Sequence, residues 1–234
     1  MSEYPKIQGL YKRYHADFKR LNDGYYNPAR KGEFVMGDFS TPELKLLENI
    51  EWEWTEKIDG MNIRIEFDPI ENKLEFKGKT DKAILPKRLV EQLSFLLNTE
   101  QLTHIFDKKV TLYGEGYGVG IQSGGNYKND GQDFILLDIK VGDIWFNRND
   151  VERIGSILKI NVAPKFQSGT LDEAIECILD GQYSIFSTTD NMFYAEGLVA
   201  RPKMELKDRM GNRVIVKLKR KDFIKDIENN SKRV

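Results

Sequence analysis

The sequence predicts an α+β fold, because strand patterns occur in runs and hairpins rather than in strict alternation with helices. The clearest strand spans residues 62–67, where three apolar side chains alternate with three polar ones, as in a half-buried strand. Residues 74–77 follow across a turn rich in Pro and Asn and are the expected hairpin partner. Residues 87–97 have the spacing of an amphipathic helix instead.

The remaining elements are placed by local signals. Ser40 is the expected N-cap of a helix, with Pro42 in its first turn and Glu43 reaching back to the cap. Residues 1–40 before it have weak periodicity and are expected to be an irregular lead-in. No linker-like stretch divides the chain, which predicts a single domain over residues 1–234. Further strands are expected at 110–113, 134–139, 199 and 214–218, and further helices at 151–158 and 171–179.

Composition excludes several classes of protein. The chain has 234 residues and a net charge of −1, since 36 Lys and Arg nearly balance 37 Asp and Glu. This excludes a protein that coats nucleic acid through bulk positive charge, but not one with a local basic groove. One Cys and two His argue against a disulfide framework, a Cys-rich zinc site or a multi-histidine site. No apolar run reaches about 20 residues, so we expect no membrane partner and a cytoplasmic protein, or one of the host cytoplasm if viral.

The first motif with chemical content is Lys57-Ile-Asp59-Gly60. A lysine stands just before a tight Asp-Gly turn, and the strand after the turn carries Asn62 and Arg64 on its polar face. A deprotonated lysine is a nucleophile, and neighbouring positive charge or a metal ion favours its deprotonation. Asp-Gly is also a common turn, so this motif alone leaves a purely structural interpretation open.

Three further segments carry charged residues at strand ends or on one strand face. Tyr113 to Gly118 is expected to be a Gly-rich loop that presents Glu115 for a sugar hydroxyl or a metal-bound water. Glu196 precedes a short strand, and Lys217 and Lys219 share one face of a late strand, where they could bind phosphate. The spacing fits neither a dinucleotide-binding Gly-x-Gly-x-x-Gly motif nor a P-loop.

Taken in chain order, these segments resemble motifs I, III, IIIa, IV and V of the covalent nucleotidyltransferases, a superfamily of polynucleotide ligases and mRNA capping enzymes. The segments are Lys57-x-Asp59-Gly60, Gly114-Glu115-Gly116, Phe134 to Asp138, Glu196-Gly197-x-Val199 and Lys217-x-Lys219. The phage-type RNA ligases are the most similar branch, because Asn62 matches an asparagine that they use on the RNA 3′ end. The resemblance implies a nucleotidyltransferase (ligase adenylation) domain of twisted, mainly antiparallel sheets flanked by helices.

The resemblance also implies an activity, that of an ATP-dependent RNA ligase. Lys57 would attack the α-phosphate of ATP to form lysyl-AMP, AMP would pass to an RNA 5′-phosphate, and an RNA 3′-hydroxyl would displace it. The resemblance implies a catalytic set of six residues: Lys57, Asp59, Glu115, Glu196, Lys217 and Lys219. Magnesium or manganese fits as the cofactor metal, because it bridges phosphate oxygens and keeps several waters.

Each implied binding role belongs to a matched position. Glu56 would read the adenine amino group, Phe134 would stack on the adenine, Glu115 would bind the ribose, and Glu196 would hold the metal with help from Glu115. Lys217 and Lys219 would bind phosphate, and Asn62 and Arg64 would bind RNA. Lys79 stands where relatives often have arginine, which keeps the charge but loses bidentate geometry.

Only fifteen residues follow Lys219, so the resemblance is accompanied by an expectation of no C-terminal OB domain. Residues 213–234 carry eight Lys and Arg against three Asp and Glu, which makes them a candidate contact to the RNA backbone or simply a solvated terminal helix. Three alternatives remain open: a small DNA ligase, a guanylyltransferase that uses GTP, and a non-catalytic RNA-binding module. The RNA substrate type and any protein partner are not predicted.

Overall fold

The computed structural model describes residues 3–17 and 24–224. Within them the chain forms fourteen strands and five complete α-helices, and residues 220–224 are also helical. The strands are β1 (Gln8–Gly9), β2 (Tyr11–His15), β3 (Gly24–Tyr26), β4 (Phe34–Phe39), β5 (Trp52–Glu56), β6 (Met61–Asp68), β7 (Lys73–Lys77), β8 (Val110–Gly118), β9 (Gln132–Val141), β10 (Ile144–Trp145), β11 (Asn161–Val162), β12 (Lys165–Gly169), β13 (Gly197–Pro202) and β14 (Val216–Lys219). The helices are α1 (Pro42–Leu46), α2 (Lys87–Leu96), α3 (Thr99–Thr103), α4 (Arg148–Leu158) and α5 (Leu171–Leu179).

These elements form two compact units. The six-stranded unit comprises residues 3–5 and 58–163, and the five-stranded unit comprises residues 6–17, 24–57 and 164–224. The chain passes from one unit to the other after Pro5, after Lys57 and after Ala163. This division into units does not test the expectation of one domain over residues 1–234, which stays a prediction.

The six-stranded unit is built on a sheet with the order β10-β9-β8-β6-β7, in which every neighbouring pair is antiparallel; β11 adds to β9 in parallel. Helices α2 and α4 contact β9. The predicted alternation in β6 is confirmed, because Ile63, Ile65 and Phe67 are fully buried in the core of this unit. Burial of such side chains is the main favourable term that holds the sheet against its helices.

The five-stranded unit contains a sheet with the order β1-β14-β13-β5-β12, in which only β1 pairs in parallel, and a three-stranded sheet with the order β3-β2-β4. Trp52 and Trp54 of β5 are fully buried, together with Leu198 and Leu218 of the adjacent strands. Helix α5 contacts β13 and β14. The central position of β5, β13 and β14 gives the residues at their ends a rigid support.

The predicted α+β class is confirmed, and so are the 62–67 and 74–77 hairpin, the helices over 87–97, 151–158 and 171–179, and the two late strands. The first helix begins as predicted, but its predicted cap is wrong: Thr41 is the N-cap and makes no side-chain cap hydrogen bond. The Ser40 hydroxyl instead donates to the carbonyl of Gly9 at 2.6 Å. No helix in the described ranges is long and apolar enough to span a membrane.

Two further expectations need correction. Residues 1–40 are not an irregular lead-in, since their described part contains β1 to β4; paired strands with few apolar residues escape a search for alternation. The Gly-rich segment around Glu115 is not a loop but the second half of β8, paired with β6 and β9. Of the basic segment 213–234, only residues 213–224 are among the described residues, and the rest lies outside them.

The glycines of β8 are required by packing. A Cβ added to Gly114 would lie 2.2 Å from the Phe134 ring and 2.3 Å from the carbonyl oxygen of Ile135. A Cβ added to Gly60 would lie 2.2 Å from the carbonyl oxygen of Gly116. Because backbone atoms cannot move aside as a side-chain end can, these positions accept only glycine while the sheet keeps its register.

We therefore expect Gly114→Ala to lower the free energy of unfolding by about 2 kcal/mol, the usual cost of forcing an extra methyl into a packed interior. Urea unfolding followed by circular dichroism measures this. Gly125→Ala is the matched control, because its added Cβ would meet only the Cα of Val119, at 3.9 Å. Equal stability of the two variants would contradict the packing argument.

Candidate active site

The ends of three neighbouring strands position the predicted nucleophile. Lys57 directly follows β5, and its backbone N–H donates to the carbonyl oxygen of Gly197 at 2.9 Å. In the adjacent pairing, Gly197 lies opposite Lys219 and Val199 lies opposite Lys217. The antiparallel register of β5, β13 and β14 therefore brings Lys57 together with residues from the far end of the sequence.

Glu196 joins two of these lysines. Its Oε2 atom lies 2.5 Å from Nζ of Lys57, and its Oε1 atom lies 2.6 Å from Nζ of Lys219. The three side chains are between 16% and 23% exposed, so a solute can reach the ion pairs although they are partly desolvated. We call Lys57, Glu196, Lys217 and Lys219 the lysine–glutamate cluster.

The cluster carries an excess of positive charge, since it has three ammonium groups and one carboxylate, and that carboxylate pairs with Lys57 and Lys219. Lys217 shows the effect: burial lowers its pKa, and the charges of Lys219 and Lys57, followed by those of Arg13 and Lys6, lower it further. Each of these groups would be stabilised by an added anion. The cluster is therefore suited to bind a phosphate chain beside a primary amine.

Glu56 is the last residue of β5, immediately before Lys57, and is 1% exposed. Its Oε2 atom accepts a hydrogen bond from the N–H of Ile185 at 3.0 Å, and Ser184 also hydrogen-bonds to the carboxylate. Burial raises the pKa of Glu56, and these hydrogen bonds offset part of the increase. Its Oε1 atom is buried without a hydrogen-bond partner in the described structure, so it can accept from a ligand.

In the six-stranded unit, the register places Asn62 of β6 opposite Glu115 of β8. The Asn62 side-chain amide donates to the carbonyl oxygen of Gly114 at 3.3 Å, whereas its Oδ1 atom is buried and has no partner among the residues described. That oxygen is an acceptor left open for a hydroxyl or amine. Nearby in the chain, the N–H of Asp59 donates to the hydroxyl of Tyr127 at 3.3 Å.

Arg64 is predicted to bind substrate. The side chain is 1% exposed, and its guanidinium donates to the carbonyl oxygen of Gly78 at 3.0 Å, to Glu66 at 3.1 Å and to Asp81 at 2.5 Å. These contacts hold both ends of the segment that exposes Lys79. The buried guanidinium therefore supports the Lys79 segment, and contact of Arg64 with a substrate stays a prediction.

Phe134 is predicted to stack on the adenine. Its ring is 1% exposed and belongs to the core of the six-stranded unit, against Gly114. An adenine can stack only on a ring face that it can reach. Phe134 therefore has a packing role in the described structure, and its stacking on adenine stays a prediction.

Comparison of the whole sequence with models of protein families identifies the family of this chain. A family model described as RNA ligase matches residues 50–219, which includes every residue of the lysine–glutamate cluster. The chain belongs to the RNA ligase family. No curated protein sequence matches the chain.

Solved structures of an RNA ligase from Naegleria gruberi have the same fold. The form with PPi has a TM-score of 0.60 at 16% identity, over 97% of this chain and 60% of that one. A mutant form with ATP and Mn has a TM-score of 0.60 at 18% identity, over 79% of this chain and 54% of that one. This member of the RNA ligase family thus spans about 60% of the length of those chains.

Sequence reasoning missed the segment 182–195, which holds Glu56 through Ser184 and Ile185. It also missed the stacked pair Tyr183 and Tyr194 in that segment. The segment has two isolated bridges instead of a regular strand, so no periodicity marks it. The signal available in the sequence was one tyrosine at each end of this turn-rich stretch.

The buried carboxyl of Glu56 predicts a pH dependence of stability. Because its pKa is raised above the ordinary 4.5, the folded protein holds this proton more tightly than the unfolded chain does. The free energy of unfolding that it contributes is complete below pH 4.5 and falls as the pH rises through the folded pKa. Glu56→Gln cannot ionise, so its stability relative to the wild type should increase from pH 4.5 to neutrality, measured by urea unfolding at successive pH values.

Glu75→Gln is the control with the opposite sign. A hydrogen bond from Lys73 lowers the pKa of Glu75, so ionisation of this carboxyl stabilises the folded wild type. The free energy of unfolding of Glu75→Gln, relative to the wild type, should therefore decrease as the pH rises. A Glu56→Gln curve parallel to the wild type would contradict the role given to burial.

Proposed function

We propose that this chain is an ATP-dependent RNA ligase that joins RNA 5′-phosphate and 3′-hydroxyl ends through lysyl-AMP and RNA-adenylate intermediates. The observation that carries the proposal is the lysine–glutamate cluster, in which the amine of Lys57 lies 2.5 Å from Glu196 and beside two further lysines. A site that only binds RNA has no need of a primary amine paired in this way. Membership of the RNA ligase family supports the same reaction.

In the first step, Lys57 loses a proton and its Nζ atom forms a bond to the α-phosphorus of ATP. The bond from that phosphorus to the bridging oxygen breaks, and pyrophosphate leaves with the electron pair. Glu196 is within hydrogen-bonding distance of Nζ, as a group that takes or guides the proton must be. Lys217 and Lys219 would stabilise the negative charge that develops on the leaving pyrophosphate.

The second step transfers AMP from Lys57 to the RNA, and the third step joins the two RNA ends. An oxygen of the RNA 5′-phosphate attacks the phosphorus of lysyl-AMP, and the amine of Lys57 leaves. The RNA 3′-hydroxyl then attacks the activated 5′-phosphate, AMP departs, and a phosphodiester remains. We assign Asn62 to the 3′ end, because its buried Oδ1 atom is an open acceptor for a hydroxyl.

The nucleotide roles follow the same logic. The open, buried Oε1 atom of Glu56 suits the adenine amino group, Glu115 is assigned to the ribose, and the exposed Lys79 to phosphate. Asp59 completes the catalytic set. The N. gruberi structures with ATP and Mn support ATP as the nucleotide and a divalent ion as the metal.

The donors fit a magnesium or manganese ion only in part. No group of three or more His, Cys, Asp or Glu side chains gathers within the described ranges. Such a group is not required, because magnesium is commonly held by one or two carboxylates together with substrate phosphates. Glu196 and Glu115 are the carboxylates we assign to it, and the ion would neutralise phosphate charge when bound.

Transfer of α-labelled ATP to the protein tests the proposal. The wild type should retain the label through denaturation, because the phosphoramidate is covalent, while Lys57→Ala should lose it by at least about 10⁴-fold, as expected when a nucleophile is removed. Lys203→Ala is the matched control, since Lys203 is an exposed lysine of the same unit paired only with Glu51 in the described contacts. Labelling is read on denaturing gels.

Parallel reactions separate the alternatives. Labelling by GTP instead of ATP would indicate a guanylyltransferase, and sealing of nicked DNA but not RNA would indicate a DNA ligase. Wild-type protein that pyrophosphate treatment and intact mass show to be free of AMP, and that still takes up no label, would contradict the ligase proposal and favour an RNA-binding module.

A further inference from the structure

The segment 182–195 carries an exposed aromatic pair beside the lysine–glutamate cluster. The rings of Tyr183 and Tyr194 stack with centroids 4.7 Å apart and planes within 12°. They remain 41% and 47% exposed although each covers one face of the other. Stacked aromatic rings that stay this exposed do not serve to fill a core.

Arg220 extends this stack. Its guanidinium carbon lies 4.2 Å from the ring centroid of Tyr194. Tyr183 and Arg220 therefore lie on opposite faces of Tyr194, because two planar groups at van der Waals spacing cannot share one face. The order is Arg220, Tyr194, Tyr183, and the outer face of Tyr183 is the end of the stack.

The segment is held in place by its own hydrogen bonds and by Glu56. The N–H of Ser184 donates to the carbonyl oxygen of Phe193, and that of Ala195 to the carbonyl oxygen of Gln182, both at 3.0 Å. The N–H of Ile185 donates to Glu56, the neighbour of Lys57. The rings are thus presented by an ordered support, which lowers the entropy cost of binding to them.

Two members of the stack connect to the cluster. Tyr194 lies two residues before Glu196, and Arg220 directly follows Lys219; the N–H of Arg220 also donates to the carbonyl oxygen of Glu196 at 3.0 Å. Two residues span at most about 7 Å. A ligand on the outer face of Tyr183 would therefore lie one ring further along the stack from the cluster than Tyr194.

We propose that Tyr183 is a stacking platform for an unpaired base of the RNA substrate, with Tyr194 and Arg220 stacked beneath it. This rests on the proposed function for the identity of the ligand. Every base offers a π-face, and aromatic side chains combined with a cationic track are how proteins hold single strands. The cationic track here is Lys217, Lys219 and Arg220, which suits a polyanion better than an apolar protein partner.

Binding of a short single-stranded RNA that carries 2-aminopurine tests the platform. Tyr183→Leu removes the π-face and should weaken binding about 10-fold, in line with the contribution of one stacked base, and should reduce the quenching of the probe. Tyr183→Phe keeps the ring and should bind within about twofold of the wild type. Tyr26→Leu is the matched control, because Tyr26 is 42% exposed on β3 of the same unit.

Three outcomes would overturn the platform. The first is binding of RNA by Tyr183→Leu as tight as that of the wild type. The second is an equal loss of affinity in the Leu and Phe variants, which would assign the effect to the hydroxyl. The third is a loss of labelling by ATP with RNA binding intact, which would assign the rings to the nucleotide. Far-UV circular dichroism of each variant shows that it is folded.

The platform and the proposed function fail separately. A wild type that takes no label from ATP but binds RNA through the Tyr183 ring would contradict the ligase and support the platform. A wild type that is labelled and seals RNA with no dependence on the ring would support the ligase and contradict the platform.

Discussion

The bridge formed by Glu196 between Lys57 and Lys219 is the interaction on which the candidate site depends. The Glu196 carboxylate accepts hydrogen bonds from two ammonium groups, with its oxygens 2.5 Å from Nζ of Lys57 and 2.6 Å from Nζ of Lys219. It thereby holds the two lysines at the ends of neighbouring strands. Without it, three lysines would repel one another at a partly buried position, an arrangement that costs free energy unless an anion is present. The bridge therefore keeps the site assembled and leaves it with a net positive charge, which the polyphosphate of our proposal would neutralise.

The fold serves this bridge through strand register. Buried tryptophans and leucines fix β5, β13 and β14 relative to one another, and a slip of one residue would turn the lysines of β14 to the opposite face. Glu56 shows the cost of such placement, because its carboxyl is buried next to Lys57 and its pKa is raised by burial. Buried polar atoms without partners in the described structure, such as Oε1 of Glu56 and Oδ1 of Asn62, are unusual in folded proteins, and in our proposal ligands supply these two missing hydrogen bonds.

Local chemistry makes part of this predictable. Alternation over 62–67 and helical spacing over 171–179 are properties of short segments, so their elements follow from the sequence. Motif order alone identifies the members of the lysine–glutamate cluster as candidates. Glycine has low strand propensity, which predicts a loop around Glu115, but tertiary packing against the Phe134 ring overrides that preference. The burial of Arg64 and the stacking of Tyr183 on Tyr194 depend on residues outside the local pattern and cannot be read from it.

Covalent attachment of AMP to Lys57 can be tested by peptide mass spectrometry. The purified protein is incubated with ATP and magnesium and then freed of nucleotide. One half is treated with 5′-phosphorylated RNA and the other is not. Both halves are then digested, and the masses of their peptides are measured. We expect a single AMP on the peptide that contains Lys57, and we expect it to disappear when RNA is added without ATP. AMP on a different lysine, or AMP on Lys57 that pyrophosphate removes but RNA never does, would contradict this expectation.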